Sequence, residues 1–237
     1  MTRIARWLVL LACVSGSAQA HDELVTSLSD AGGEPIPYIL TSNGGKPSHA
    51  ILLMPGGAGN LSPRMDGSQL VMSLGGNFLI RSRELFARPP IVAVSIDATT
   101  TPARIMAIVQ DLHKRFGPLA VYVAGNSRGT YATMTLAPLL DGQVAGFIHT
   151  SSLNAIASFD TRPFKSRHLI VHHTLDLCTG ARFSAAVANR RSYGTALIAM
   201  EGGTSIDRPC EARAHHGFYG VEQETVDRIN AWIVDGK

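Results

Sequence analysis

The 237-residue sequence has few charged side chains, few cysteines and no excess of either charge. Charged residues make up 16% of the chain and hydrophobic residues 45%, which excludes a disordered protein and favours a compact one. The 21 basic and 18 acidic residues are nearly balanced, so we expect no nucleic-acid partner. No linker, repeat or low-complexity stretch interrupts the sequence, and its length fits one domain.

Long hydrophobic runs are also missing, and the apolar run near the N-terminus is short. Arg3 and Arg6 precede this run at 7–14, and Ala18-Gln19-Ala20 has the form of an A-x-A cleavage site. A basic start, a short apolar run and small residues are typical of a secretory signal, whereas a membrane span is longer. We therefore predict that residues 1–20 are a signal peptide and that the mature chain is exported.

Only three cysteines are present, and Cys13 falls within the predicted signal. The run ending at Cys13 resembles a lipoprotein processing box, so a lipidated N-terminus is the alternative to a free chain. Otherwise Cys178 and Cys210 remain, and an even pair in an oxidising compartment is expected to form a disulfide. We expect one domain over 21–237, secreted or periplasmic, with no stable membrane insertion after signal removal. The oligomeric state is not indicated.

Strand-like and helix-like segments alternate along the mature chain. Most strand-like runs are apolar throughout, as expected where helices cover both faces. The clearest helix begins at Pro102 and ends before Gly117. The alternation predicts an α/β fold with a doubly wound, mostly parallel sheet, helices on both faces and an antiparallel N-terminal edge. The predicted strands are 24–27, 38–41, 50–54, 91–96, 119–124, 145–150, 168–173 and 195–200.

The strongest chemical signal is a serine in a glycine-rich turn. Residues Gly125-Asn126-Ser127-Arg128-Gly129 match G-x-S-x-G, a pattern short enough to arise by chance in an ordinary turn. Here a predicted strand leads into it and a helix-compatible segment, 130–136, follows. Glycines let the backbone bend sharply at such a turn, so that the hydroxyl stands exposed at the helix N-terminus. We predict that Ser127 is a nucleophile.

A second glycine-rich segment follows an earlier predicted strand and offers backbone donors. Pro55-Gly56-Gly57-Ala58-Gly59 comes directly after the strand at 50–54. Acyl transfer needs N–H groups aimed at the developing oxyanion. We predict that the amides of Arg128 and Gly57 supply them, with Gly56 as the alternative to Gly57. In the competing interpretation, these glycines only turn the chain.

A serine nucleophile needs a general base, and the base needs an acid that orients it. When the serine lies on a turn between a strand and a helix, the acid typically follows it in the sequence and the histidine comes last. Asp176 follows a predicted strand and is the predicted acid, although it also fits as a helix cap. His216 precedes the final predicted helix and is the predicted base, because Gly217 permits a close approach. His215 is the alternative base.

Taken in order, these segments resemble the α/β-hydrolase superfamily. The resemblance rests on 54–57, 125–129, 173–176 and 216–218, and it covers most of residues 36–236. The arrangement is similar to small single-domain members, such as dienelactone-hydrolase-like enzymes. It implies about eight strands and a Ser-Asp-His triad. It also implies hydrolysis of a carboxyl ester or related acyl bond through an acyl-enzyme, without a cofactor.

Two departures from the commonest superfamily pattern concern the substrate. Pro55 begins the oxyanion loop where histidine is frequent, and Arg128 is charged where smaller or apolar residues are usual. The short connection between the strands at 145–150 and 168–173 leaves no room for a large lid domain. We expect a small-molecule acyl ester as substrate. Arg81, Arg83 and Arg128 are candidates to contact an anionic group, with surface solvation as the expected role of two of them.

Two other classes of function compete with hydrolysis. One is a non-catalytic binding module on a hydrolase fold, because fold does not dictate function. The other is a metal-dependent protein, although Ser127 and the glycine loop would then lack a purpose, and we predict no metal site. The side chains that would supply transition-metal ligands are His172, His173, Asp176, Cys178, Cys210, His215 and His216.

Overall fold

The computed structural model describes residues 20–27 and 33–236. The predicted signal peptide lies outside these residues except for Ala20, and so does Cys13. Ten strands form in the described chain, and the eight longer ones join in a single sheet. They are β1 (His21–Ser27), β2 (Ile36–Ser42), β3 (His49–Met54), β4 (Arg64–Asp66), β5 (Gln69–Val71), β6 (Ile91–Ser95), β7 (Ala120–Asn126), β8 (Gly146–Thr150), β9 (Arg167–His173) and β10 (Ala196–Met200).

The main sheet has the strand order β1-β2-β6-β3-β7-β8-β9-β10. Strand β2 pairs antiparallel with both β1 and β6, and every other neighbouring pair is parallel. The two remaining strands, β4 and β5, form a separate antiparallel hairpin. These pairings confirm the predicted mostly parallel sheet of about eight strands, together with its antiparallel N-terminal edge.

Six α-helices flank the sheet within the described residues. From the sequence we predict a single helix that starts at Asn77 and stops before Pro89, but the structure has two short helices there, because Ser82 (φ −94°, ψ 6°) turns the chain between them. The helix predicted to begin at Pro102 ends before Gly117 as expected. None of the described helices is both long and apolar enough to span a bilayer. The helices are α1 (Phe78–Arg81), α2 (Arg83–Phe86), α3 (Pro102–Phe116), α4 (Gly129–Leu140), α5 (Phe183–Tyr193) and α6 (Glu222–Asp235).

Both faces of the central strands are buried, each in its own core. In β3, Ile51 and Leu53 pack on the side that α1, α2 and α6 cover. Leu52, between them, packs on the side that α3 and α4 cover. Successive side chains alternate across a strand, so a strand covered on both faces needs apolar residues at every position. This requirement explains the continuous apolar runs in the sequence.

The parallel strands end at one edge of the sheet, where their following loops meet. The loop after β3 carries the glycines at 55–59, and the loop after β7 carries Ser127. Asp176 lies in the loop after β9, and His216 in a single 3-10 turn, His215–Gly217, before α6. The connection from β8 to β9 contains only the short 3-10 helix Asn154–Ser158. No lid domain therefore covers this edge in the described chain, as predicted.

Candidate functional site

Ser127 occupies a sharp turn between β7 and α4. Its backbone is in the left-handed region, with φ of 51°, which is unfavourable for a residue with a Cβ atom. Two neighbouring threonines hold this conformation. The amide of Ser127 donates to the Thr150 carbonyl at 2.9 Å, and the hydroxyl of Thr130 donates to the Ser127 carbonyl at 2.6 Å. The half-buried Ser127 side chain therefore projects from a rigid turn.

The glycines around Ser127 are required because backbone segments meet there. A Cβ atom on Gly125 would lie 2.4 Å from the Gly129 carbonyl oxygen, and one on Gly129 would lie 2.7 Å from the Pro55 carbonyl oxygen. A Cβ atom on Gly56 would lie 2.7 Å from the carbonyl oxygen of Asn126. A larger residue at Gly56 or Gly129 would push the 55–59 loop away from the serine turn, and one at Gly125 would distort the turn itself.

The carboxylate of Asp176 is fully buried and accepts three hydrogen bonds. Its Oδ2 atom accepts from Nδ1 of His216 at 2.8 Å and from Nε2 of His172 at 3.1 Å. Its Oδ1 atom accepts from the amide of Cys178 at 2.9 Å. Burial by itself raises the pKa of Asp176, but the bonds from His172 and His216 outweigh burial and hold that pKa at about 2. Asp176 is therefore ionised at neutral pH.

These contacts determine which nitrogens of the two histidines carry hydrogen. His216 donates through Nδ1, so in the neutral ring Nε2 is an acceptor. His172 faces two acceptors with Nε2, the Asp176 carboxylate and the Ala181 carbonyl at 3.0 Å, so Nε2 carries the hydrogen. Within the described part of the chain, its buried Nδ1 atom has no hydrogen-bond partner.

The sequence did not reveal the contact between His172 and Asp176. His172 and His173 are adjacent in β9, both are buried, and nothing in their spacing separates them. The alternative base, His215, stacks on His173 with ring centroids 4.4 Å apart. His173 in turn contacts the carbonyl of Gly202 through Nε2 at 2.9 Å. Of the two candidate bases, His216 is the one that contacts Asp176.

Two cavities flank the oxyanion loop. The smaller, of about 150 Å³, is lined by Ser127 and His216 together with Gly56 and Gly57. The larger, of about 410 Å³, is lined by Arg128 and again by Gly57. A Cβ atom on Gly56 would lie 3.5 Å from the amide nitrogen of Arg128, so the segments with the two predicted oxyanion donors are adjacent. All the predicted site residues thus meet at one edge of the sheet.

Cys178 and Cys210 form the predicted disulfide, with Cα atoms 4.7 Å apart. Cys178 is buried, and its amide binds Asp176. Cys210 lines the small cavity that contains Ser127 and His216. The disulfide therefore connects the loop of the acid to the wall of the cavity.

Several of the candidate metal ligands have other partners. Cys178 and Cys210 are used in the disulfide, and Nε2 of His173 contacts a carbonyl oxygen. In the part of the chain that the structure describes, no three His, Cys, Asp or Glu side chains form a group suited to a metal ion.

Arg81 supports the segment that carries His216. Its guanidinium donates to the Gly217 carbonyl at 2.6 Å and to the Gly76 carbonyl at 2.7 Å. It also forms an ion pair with Glu222 at 2.8 Å, in which both side chains are about one-fifth exposed. The carbonyl of His216 itself accepts from the hydroxyl of Ser151 at 2.6 Å. The backbone beside His216 is thus held from two sides.

Comparison with known proteins supports the fold. No family model matches the chain, and no curated protein matches its sequence. Among solved structures, dienelactone hydrolase from Anabaena variabilis has a TM-score of 0.62 at 13% identity, covering 92% of this chain and 98% of that one. The esterase domain of a Rhodothermus marinus protein has a TM-score of 0.60 at 12% identity, covering 89% and 98% respectively.

A third solved structure, an α/β serine hydrolase without a lid from Xanthomonas campestris, has a TM-score of 0.57. It is 11% identical, and the match covers 88% of this chain and 94% of that one. At such identities the similarity concerns the fold alone. It confirms the predicted resemblance to the small α/β-hydrolase fold.

The low pKa of Asp176 predicts how stability changes in acid. The ionised carboxylate stabilises the folded state fully above about pH 4, the pKa range of an unfolded aspartate. This contribution is lost as the pH falls through the folded-state pKa of about 2. Urea unfolding of wild type and Asp176→Asn should therefore differ by a free energy that shrinks on the order of 2 kcal/mol between about pH 5 and pH 2. Asp66→Asn, an exposed site, is the control. A difference that does not change with pH would contradict the assignment.

The disulfide should stabilise the fold and the site together. Replacing both Cys178 and Cys210 with alanine should lower the free energy of unfolding by roughly 3–4 kcal/mol, because the unfolded chain regains loop entropy. Reduction of the wild type should have the same effect, and the double variant should be insensitive to reductant. Unfolding curves with and without dithiothreitol check this prediction. Equal stability of the oxidised and reduced wild type would show that the bridge adds nothing.

Loss of Arg81 should disturb the segment around His216. Arg81→Met removes a donor to the Gly217 carbonyl and leaves Glu222 without its partner, so stability should fall by about 3 kcal/mol. If His216 is the base that the sequence predicts, kcat for ester hydrolysis should fall by about tenfold or more, with little change in KM, because His216 moves while the loop at 55–59 stays in place.

The matched control for Arg81→Met is Arg88→Met, which removes an exposed ion pair with Asp227 on the same helix α6. That change should cost less than about 1 kcal/mol and leave kcat unaltered. Equal effects of the two variants on kcat would exclude a positioning role for Arg81.

Proposed function

We propose that this chain, which has the fold of the small single-domain α/β-hydrolases, is an exported serine hydrolase that cleaves a carboxyl ester or related acyl bond. One observation carries the proposal. A buried, ionised Asp176 binds Nδ1 of His216, and His216 lines the same cavity as Ser127 on its strained turn. A structural turn has no need for this combination, whereas a serine nucleophile requires all three groups.

In the proposed reaction, Nε2 of His216 accepts the hydroxyl proton of Ser127 as Oγ attacks the acyl carbon. Asp176 keeps the ring in the Nδ1–H tautomer and stabilises the imidazolium that forms. The tetrahedral intermediate collapses, the bond to the leaving oxygen breaks, and His216 returns the proton to that oxygen. A water molecule then repeats the sequence on the acyl-enzyme, with His216 as base, and releases the acid and free Ser127.

The oxyanion is proposed to bind the backbone amide of Arg128 and that of Gly57, or alternatively Gly56. Arg128 directly follows the nucleophile at the N-terminal end of α4, where unpaired amides and the helix dipole favour negative charge. Gly57 adopts φ of 63°, a conformation that other residues rarely take. Each such donor contributes about 3–4 kcal/mol to transition-state stabilisation.

The size of the site favours a small substrate. The cavity beside Ser127 and His216 holds only about 150 Å³, and the described chain has no lid above it. A short acyl or alcohol group fits such a space, so we propose small-molecule carboxyl esters as substrates. Because the sheet edge is open, no lid movement enters the proposed mechanism. The chemistry of a Ser-His-Asp triad itself requires no cofactor.

Export is supported by two independent features. The N-terminal sequence has the order of a secretory signal, and the disulfide is compatible with an oxidising compartment. We propose a secreted or periplasmic location, with lipidation at Cys13 as the alternative mode of export.

A fluorophosphonate probe tests the mechanism, because it reacts only with an activated serine. Wild type should be labelled on the peptide that contains Ser127, and Ser127→Ala should lose both the label and esterase activity, a fall in kcat of about 10⁴-fold or more. His216→Gln should lower both to a similar extent. The control Ser158→Ala, which removes an exposed hydroxyl, should behave as wild type. Full esterase activity in Ser127→Ala, or no labelling of wild type, would favour a binding module instead.

A further inference from the structure

Within the described residues, Arg128 differs from Arg81 and Arg83, the other two candidates for an anionic ligand, in having no acidic partner. Arg81 is paired with Glu222, and Arg83 with Asp22 at 2.6 Å. The side chain of Arg128 is exposed, and within the described ranges no carboxylate forms an ion pair with it. Of the three arginines that the sequence offered for an anionic ligand, the structure leaves only Arg128 available.

The cavity beside Arg128 has the chemistry of an anion site. None of its lining residues is acidic, and the lining includes three residues with hydroxyl groups, Thr99, Thr100 and Tyr131. The first turn of α4 begins immediately after Arg128 and adds the positive end of a twelve-residue helix. A guanidinium binds a carboxylate through two parallel N–H donors, which makes arginine a selective partner for that group.

The two cavities offer separate spaces for the two parts of an ester. The leaving oxygen must be close to His216 to receive its proton, and His216 lines only the smaller of the two cavities. The larger cavity contains Arg128 and not His216, and it shares Gly57 with the smaller one. With the leaving group in the smaller cavity, the space left for an acyl chain that passes Gly57 is the larger cavity, beside Arg128.

We propose that the preferred substrates are esters whose acyl part ends in a carboxylate, that is, half-esters of dicarboxylic acids, and that the Arg128 side chain binds this carboxylate. The inference rests on the proposed esterase function and specifies its substrate class. Arg128 then has two separate roles: its backbone amide serves the oxyanion, and its side chain selects the acyl group.

Two esters of the same chain length test the proposal: mono-p-nitrophenyl adipate, whose acyl chain ends in a carboxylate, and its neutral methyl ester. The measured quantity is the ratio of kcat/KM for the anionic ester to that for the neutral ester. Wild type should favour the anionic ester, and Arg128→Gln should lower the ratio by about tenfold or more. Any effect of the substitution on the oxyanion amide acts on both esters and cancels in the ratio.

Two further variants and the salt concentration sharpen the result. Arg128→Lys should keep part of the preference, because the charge remains while the paired donors are lost. Lys114→Gln removes one positive charge from an exposed position near the C-terminal end of α3, whereas Thr99 and Thr100 of the cavity precede the N-terminal end of that helix. This control should leave the ratio unchanged. Added salt should lower the ratio in wild type and have little effect in Arg128→Gln.

The outcomes separate this inference from the proposed function. If the fluorophosphonate probe labels Ser127 and the ratio is the same in wild type and Arg128→Gln, the carboxylate site is wrong and the esterase function stands. Labelling without hydrolysis of either ester also overturns the inference. If wild type is neither labelled nor active on either ester, the proposed function fails, and the inference fails with it.

Discussion

A carboxylate removed from water must find a hydrogen-bond donor for each oxygen, and the arrangement around Asp176 follows from that requirement. Its three donors come from β9, from the amide of Cys178 and from the 3-10 turn before α6. Loss of any one would leave a buried charge partly unpaired, a change that typically costs several kcal/mol. The same contacts determine the tautomers of His172 and His216. The carboxylate that holds these three segments together is therefore also the group that orients His216 in the proposed mechanism.

The rest of the site is organised by close backbone contact. Gly56 and Gly129 each leave a space that a Cβ atom would fill, so the 55–59 loop lies directly against the serine turn, and Gly125 lets the turn itself close tightly. Ser127 tolerates an unfavourable φ because hydrogen bonds on both sides fix its backbone. The disulfide and the Arg81–Glu222 pair act at a greater distance, since they hold the loops that bring Asp176 and His216 to this turn.

Much of this arrangement was predictable from local sequence. The strands were predicted to within a few residues because strands buried on both faces are apolar throughout. The disulfide was predictable because only Cys178 and Cys210 lie outside the predicted signal peptide. The serine turn was recognisable because only glycine permits the approach at Gly125 and Gly129. Contacts between distant segments were not predictable. Nothing in the sequence distinguished His172 from His173, indicated that Arg81 holds the Gly217 carbonyl, or showed the break in the helix at Ser82.

The central claim is that Asp176 orients His216 to activate Ser127. The rate constant for phosphonylation of Ser127 in Asp176→Asn, relative to wild type at neutral pH, tests it most directly. We predict that this rate constant falls by about 10³–10⁴-fold while the fold and the disulfide stay intact, because the asparagine amide permits the wrong tautomer of His216. A rate within about tenfold of wild type would contradict the claim.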